Sequence, residues 1–166
     1  MKLYRSDLEK SFSNQLFEIS TEYYELDNSK FVDKTISCKV SSESTTNGYH
    51  VYGNIDANLL ESCDRCLCSY NSTKNIELNI ILSNNEKLIN DSNIDVIKFL
   101  GSEDFVDISS VIHDLILLEI PIKKLCSNNC KGLCSNCGIN LNKLKCKCKF
   151  TKDDNRWDKL KKIKIY

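Results

Sequence analysis

Val32-Asp33-Lys34-Thr35-Ile36-Ser37-Cys38-Lys39-Val40 sets apolar residues on alternate positions, the signature of a half-buried strand. The pattern resumes at Tyr49, Val51, Gly53, Ile55, Ala57 and Leu59, with His50, Asn54, Asp56 and Asn58 facing the other way. Thr46-Asn47-Gly48 lies between the two runs. Asn-Gly is a strong two-residue hairpin signal because both positions tolerate positive φ. A third strand is expected over Thr73–Leu82, with Ile76, Leu78, Ile80 and Leu82 on one face, and Gln15–Tyr24 is a weaker candidate. The polar, Asn-rich stretch Ser83–Asn93 reads as a loop.

One helix follows from Ile108, where Val111, Ile112, Leu115 and Ile116 recur at helical spacing. Asp107 or Ser109 can cap its start, and Pro121 stops it. Leu117, Leu118 and Ile120 widen its apolar stripe, which predicts a well-buried helix. The fold class expected is therefore α+β: an antiparallel sheet, open or barrel-like, with one main buried helix, plus a small C-terminal Cys-rich zinc module. The divisions expected are an acidic body over 1–121, a Cys-rich module over 122–150 and a basic tail over 151–166.

The chain has 166 residues, ten Cys, one Pro and no net charge. Its composition excludes collagen-like and wholly disordered classes. No apolar run approaches the ~18–20 residues of a membrane span, so no membrane partner is expected. The start, Met1-Lys2-Leu3-Tyr4-Arg5-Ser6-Asp7-Leu8-Glu9, lacks a basic run followed by an apolar block. It therefore points to a cytoplasmic, reducing compartment, where ten Cys imply metal or thiol chemistry rather than a disulfide framework. The neutral total hides an asymmetry. Residues 1–121 carry 10 Lys+Arg against 20 Asp+Glu, and residues 122–166 carry 13 against 3.

Eight cysteines fall into pairs: Cys63-x2-Cys66, Cys126-x3-Cys130, Cys134-x2-Cys137 and Cys146-x-Cys148. Thiolates at such spacings, with Gly138 opening a turn, can bind one zinc at about 2.3 Å each. An iron–sulfur cluster would use the same ligand type, and unmetallated redox thiols are the other reading. Cys134 and Cys137 form the safest pair. Cys146 and Cys148 would stand roughly 6.6–7 Å apart in an extended strand, whereas two sulfurs on one zinc sit about 3.8 Å apart. The chain must therefore bend at Lys147, or only one of the two ligates. Cys126 and Cys130 either complete this site or join Cys63 and Cys66 in a second, so one or two structural Zn2+ are expected. Cys38 reads as core, and Cys68 has no clear partner.

No arrangement of His50 or His113 suggests a catalytic nucleophile, and no Gly-rich phosphate loop is present. The thiols suffice to close a zinc site completely, which leaves no open position for substrate. A non-enzymatic protein follows. Lys131, Lys143, Lys145 and Lys147 would offset the negative charge of a four-thiolate zinc. Surplus remains, and Lys143, Lys145, Lys147 and Lys149 would form a one-sided comb continued by Lys159, Lys161, Lys162 and Lys164, a surface suited to phosphate backbones. Trp157 reads as an anchor for the tail.

Several of these residues together resemble the YceD family, whose members are called large ribosomal RNA subunit accumulation proteins. The resemblance is carried by Cys63-Asp-Arg-Cys66-Leu67, Leu118-Glu119-Ile120-Pro121-Ile122, Cys126-x3-Cys130-Lys-Gly-Leu-Cys134-x2-Cys137-Gly-x2-Leu141-Asn142 and Cys146-x-Cys148. Asp154-Asn155-Arg156-Trp157 is similar to the family's Asp-Pro-Arg-Trp ending, with Asn155 in place of Pro. The resemblance implies a role in accumulating large-subunit (23S) ribosomal RNA during ribosome assembly. The partner would be that RNA or a pre-ribosomal particle, contacted by Lys131, Lys143, Lys145, Lys147 and Lys149, then Arg156, Lys161 and Lys162. Two alternatives stand beside it: an adaptor contacting a ribosomal protein or nuclease, and a thiol–disulfide protein using Cys63 and Cys66.

Overall fold

The computed structural model describes residues 1–26, 29–85 and 95–148. Its elements in chain order are β1 (Lys2–Tyr4), α1 (Arg5–Lys10), β2 (Phe12–Ser20), β3 (Ser29–Phe31), β4 (Thr35–Thr45), β5 (Gly48–Ser62), β6 (Ser69–Ser83), β7 (Asp95–Lys98), β8 (Phe105–Asp107) and α2 (Ser109–Glu119). A six-stranded sheet runs β2-β4-β5-β6-β7, with β3 paired to the far end of β5. β1 and β8 form a separate two-stranded ribbon. The pairings of β2 through β6 are antiparallel, and β7 joins β6 in parallel. The sheet is thus open and mixed rather than wholly antiparallel.

Alternation explains the core. Ile36, Cys38 and Val40 of β4, Val51, Ile55 and Ala57 of β5, and Ile76, Leu78, Ile80 and Leu82 of β6 all face inward. Each buried aliphatic side chain contributes roughly 1.5–3 kcal/mol. α2 lies against β6 and adds Ile112 and Ile116.

Four details differ from the sequence reading. Val32 is 48% exposed, and β4 begins only at Thr35. The β4–β5 hairpin forms, but Thr45 pairs with Gly48, so its two loop residues are Thr46 and Asn47. Gly48 instead opens β5 at φ 139°, where a Cβ would lie 1.9 Å from the Leu82 carbonyl oxygen. Positive φ and close backbone approach together demand the glycine there. Leu118 is 81% exposed and Leu117 37%, so α2 is buried along one stripe and is not enclosed. The helix is anchored by the face that meets β6 and by His113, which reaches Glu25 and Tyr24.

The helix start is held as expected in part. Asp107 Oδ1 accepts from the Ser109 backbone N–H at 2.9 Å and from the Ser109 hydroxyl at 2.6 Å. The Met1 amine lies 3.1 Å from the same carboxylate oxygen. These donors, the Ser109 hydroxyl foremost, hold the Asp107 carboxyl down at about 2. Residues 86–93 of the expected polar loop, and the tail over 151–166 with Trp157, lie outside the described residues.

Candidate metal centres

β5 and β6 pair over Tyr49–Ser62 and Ser69–Leu82, leaving Cys63–Cys68 as the connection at one end of a long hairpin. This connection is a tight knuckle. The Cys63 backbone N–H donates to the Cys68 carbonyl at 2.9 Å, and the Leu67 N–H donates to the Cys63 carbonyl at 2.8 Å. Leu67 adopts φ 56° to close it. A second knuckle repeats the pattern further along the chain. There the Cys134 N–H donates to Ile139 at 2.8 Å, the Gly138 N–H donates to Cys134 at 2.9 Å, and Gly138 adopts φ 70°.

Each knuckle supplies half of a four-sulfur cluster. Cys63, Cys66, Cys126 and Cys130 bring four Sγ atoms within 4.8 Å of one another, and Cys134, Cys137, Cys146 and Cys148 do the same. In the first, Cys63 and Cys130 stand 3.8 Å apart and Cys66 and Cys126 stand 3.6 Å apart. In the second, Cys146 lies 3.3 Å from Cys134 and 3.5 Å from Cys137. A tetrahedral zinc with sulfur at 2.3 Å needs sulfurs about 3.8 Å apart. The donor sets therefore fit a thiolate-bound ion such as zinc, with small adjustments.

The structure groups the sulfurs that spacing left unassigned. Cys126 and Cys130 come together with Cys63 and Cys66. Both Cys146 and Cys148 enter the second cluster, because residues 145–148 form no strand and the Cys148 N–H turns back to the Cys146 sulfur at 3.2 Å. Cys38 is buried in the sheet core, where desolvation pushes its thiol up to about 11. Cys68 does have a neighbour, the Cys66 sulfur at 3.1 Å.

The electrostatics are those of crowded thiols. Burial raises Cys63, but the backbone N–H groups of Cys126, Cys66 and Arg65 outweigh it and bring the thiol down to about 6. Cys134 also falls to about 6, chiefly through the backbone N–H groups of Cys137 and Asn136. Burial and the hydrogen bonds of neighbouring thiols push Cys126 up, and Cys146 followed by Cys137 pushes Cys148 up to about 12. In the first cluster Cys63 and Cys66 are lowered and Cys126 is raised, and in the second Cys134 is lowered and Cys146 and Cys148 are raised. A divalent cation among them would favour deprotonation of all four.

The two clusters are tied together by residues that the sequence reading did not single out. Asn142 donates from Nδ2 to the Cys130 sulfur at 3.3 Å, while its Oδ1 accepts from the Lys131 backbone N–H at 2.8 Å. Arg65 donates to the Cys130 carbonyl at 3.0 Å, and its own carbonyl accepts from Leu133 at 3.1 Å. Asp64 and Lys124 exchange two bonds, Asp64 N–H to the Lys124 carbonyl at 2.8 Å and Lys124 N–H to the Asp64 carboxylate at 2.7 Å. Residues 122–130 are thereby laced to the hairpin end. Asp64, Arg65 and Asn142 all stand within the motifs that carry the family resemblance, but nothing in their spacing pointed to these contacts.

Lys131, Lys143, Lys145 and Lys147 are all exposed. Lys143 sits in the turn closed by its N–H to the Asn140 carbonyl at 3.1 Å, and Lys145 and Lys147 alternate with the half-buried Cys146 and Cys148. Lys149, Arg156, Lys161 and Lys162 lie outside the described residues. His50 bonds Asn79 at 2.8 Å and stacks on Tyr52, while His113 bonds the Glu25 carbonyl at 3.0 Å and stacks on Tyr24. Both serve as packed sheet and helix residues. Among the described residues, no helix is long and apolar enough to cross a membrane.

A mixed sheet carrying two four-cysteine clusters at one end defines a protein with candidate structural metal centres. Residues 51–164 match the model of the YceD family, described as large ribosomal RNA subunit accumulation protein YceD. The chain belongs to that family. It is 56% identical over 43 residues to a protein of Arabidopsis thaliana named large ribosomal RNA subunit accumulation protein YCED homolog 1, chloroplastic, covering 26% of this chain and 13% of that one. The Zea mays protein of the same name is 46% identical over 56 residues, 33% of this chain and 19% of its own length. An uncharacterized protein of Mycobacterium bovis is 25% identical over 99 residues, 60% of this chain and 48% of that one. The chain thus spans less than half the length of each of these relatives. No solved structure matches.

Proposed function

We propose that this chain is a non-enzymatic factor supporting accumulation of large-subunit ribosomal RNA, and that it grips that RNA with a lysine-rich segment held in shape by two structural zinc ions. One observation carries the reading. Residues 122–148 contain six Lys and no Asp or Glu, and the side chains they bury are the thiols Cys130 and Cys134. A segment with so little apolar burial has no core of its own. Metal binding can supply its folding free energy. Zinc would draw Cys63, Cys66, Cys126 and Cys130 together at one centre and Cys134, Cys137, Cys146 and Cys148 at the other.

Closed four-thiolate sites suit structure rather than catalysis, since no ligand position stays open. Two such sites would carry about −2 each, against a balance of +10 over residues 122–166. The surplus is available to phosphates. The acidic body over 1–121 would limit non-specific RNA contact, leaving 122–150 as the binding module and 151–166 as its extension. Reduced thiols require a reducing compartment such as the cytoplasm.

The test is binding to large-subunit ribosomal RNA fragments across a salt series. About five phosphate contacts give a log–log slope of roughly −3.5 to −4.5. Replacing Lys143, Lys145 and Lys147 by Gln should flatten that slope by about 2–3 while two zincs remain bound. Absence of binding at low salt would replace direct RNA contact with the adaptor reading, in which a ribosomal protein or nuclease is the partner.

A further inference from the structure

Of the ten cysteines, Cys38 is buried in the sheet core and eight fill the two four-sulfur clusters. Cys68 is left over, and it is not isolated. It occupies the last position of the first knuckle, where Ile139 stands in the second. Its sulfur is 3.1 Å from that of Cys66, yet it is not one of the four that lie within 4.8 Å of one another. Leu67, turned to φ 56°, is the single residue between them. Cys68 is partly exposed, whereas Cys63, Cys66 and Cys130 are buried. The first cluster therefore has a fifth thiol at its solvent side, and in the second every neighbouring thiol is already one of the four.

We propose that Cys66 and Cys68 form a peroxide-modified pair, whose conversion to a disulfide expels the metal of the first site and frees residues beyond 122 from the hairpin end. This rests on the zinc reading above. The Cys66 thiolate attacks one oxygen of hydrogen peroxide; the O–O bond breaks, giving a sulfenic acid and hydroxide, which takes a solvent proton. The Cys68 thiol then attacks the Cys66 sulfur. An S–S bond forms as the S–O bond breaks, and the departing hydroxide leaves as water with the Cys68 proton. The two sulfurs lose one electron pair, peroxide gains it, and two waters result. Three remaining thiolates cannot close a four-coordinate shell.

The test uses the zinc-loaded full chain treated with hydrogen peroxide, with zinc release followed by a chromogenic chelator and products mapped by mass. Wild type should release one of its two zincs, lose about 2 Da in the peptide holding Cys66 and Cys68, and recover on reduction with dithiothreitol. C68S and C68A should bind two zincs and release the first about tenfold more slowly, since no adjacent thiol resolves the sulfenic acid. The second site, which lacks a fifth thiol, serves as the control within each sample. Equal release rates in wild type and both variants would overturn the pairing while leaving two zincs in place. So would a disulfide mapped to other cysteines, or loss of the first metal in both variants before any peroxide, which would make Cys68 a ligand. A chain that binds no zinc would overturn the metal reading together with this one.

Discussion

In the first knuckle the residue after the second cysteine is Leu67, held at φ 56°, and in the second it is Gly138, at φ 70°. The backbone bonds are otherwise the same, from the first cysteine's N–H to the carbonyl five residues on, and back from the fifth residue's N–H. The two turns are mounted differently. Cys63–Cys68 joins two strands of a sheet whose core is fully buried, so the surrounding register holds Leu67 in a conformation that leucine disfavours by about 1 kcal/mol or more. Cys134–Ile139 has no such frame, only the isolated bridge between Leu133 and Asn140. A turn that must close itself uses glycine. One that is closed by its neighbours tolerates leucine.

The largest expected effect separates the two sites. Replacing Cys63 and Cys66 together by Ser should lower bound zinc from two to one, and hydrogen exchange should show protection lost over 122–130 while β4–β6 stay protected. Equal loss in both clusters would mean they fold as one unit. Next, Leu78→Ala, a truncation at a fully buried site, should cost about 2–5 kcal/mol in urea unfolding. It should carry the first knuckle with it and leave zinc bound at the second.

Smaller effects test the turns themselves. Gly138→Ala should weaken the second knuckle by about 1 kcal/mol through backbone strain alone, since nothing lies within 4 Å of the added Cβ. Leu67→Gly should change stability by less than about 0.5 kcal/mol, because relief of strain is offset by the freer unfolded chain. Zinc retention during chelator titration reads both. The smallest effect lies in neither knuckle. Asp107, held down to about 2, contributes stability that is present above about pH 4 and lost as pH falls toward 2. Its side chain is 48% exposed, so Asp107→Asn should cost about 1 kcal/mol or less at pH 7 and only a small part of that at pH 2. Thermal melts at both pH values check this.

The central strands were legible because long runs of β4, β5 and β6 bury alternate side chains, and alternation is visible in sequence. The short strands β1, β3, β7 and β8 were not, since three or four residues held by their neighbours carry no period. The exposure of Leu117 and Leu118 was misread for a related reason: composition shows an apolar stripe, and only packing shows how much of it is covered. The cysteine pairs were legible from spacing. Which pairs meet was not, because Cys66 and Cys126 are 60 residues apart and come together only through the length and direction of the hairpin. Asn142 lies only 12 residues from Cys130, but its bond to that sulfur depends on how the second knuckle turns, which spacing does not show.

Sequence separation also sets what each cluster needs in order to form. Cys134 and Cys146 are 12 residues apart, while Cys63 and Cys130 are 67 apart. Closing the longer loop costs more entropy and waits on strand pairing. The second cluster draws all four sulfurs from residues 134–148, whereas the first needs a hairpin already zipped in register. A slip of one residue would turn alternate side chains to the wrong face and displace the sulfurs of Cys63 and Cys66. An ion held at the body-side cluster would thus report a sheet paired in the correct register.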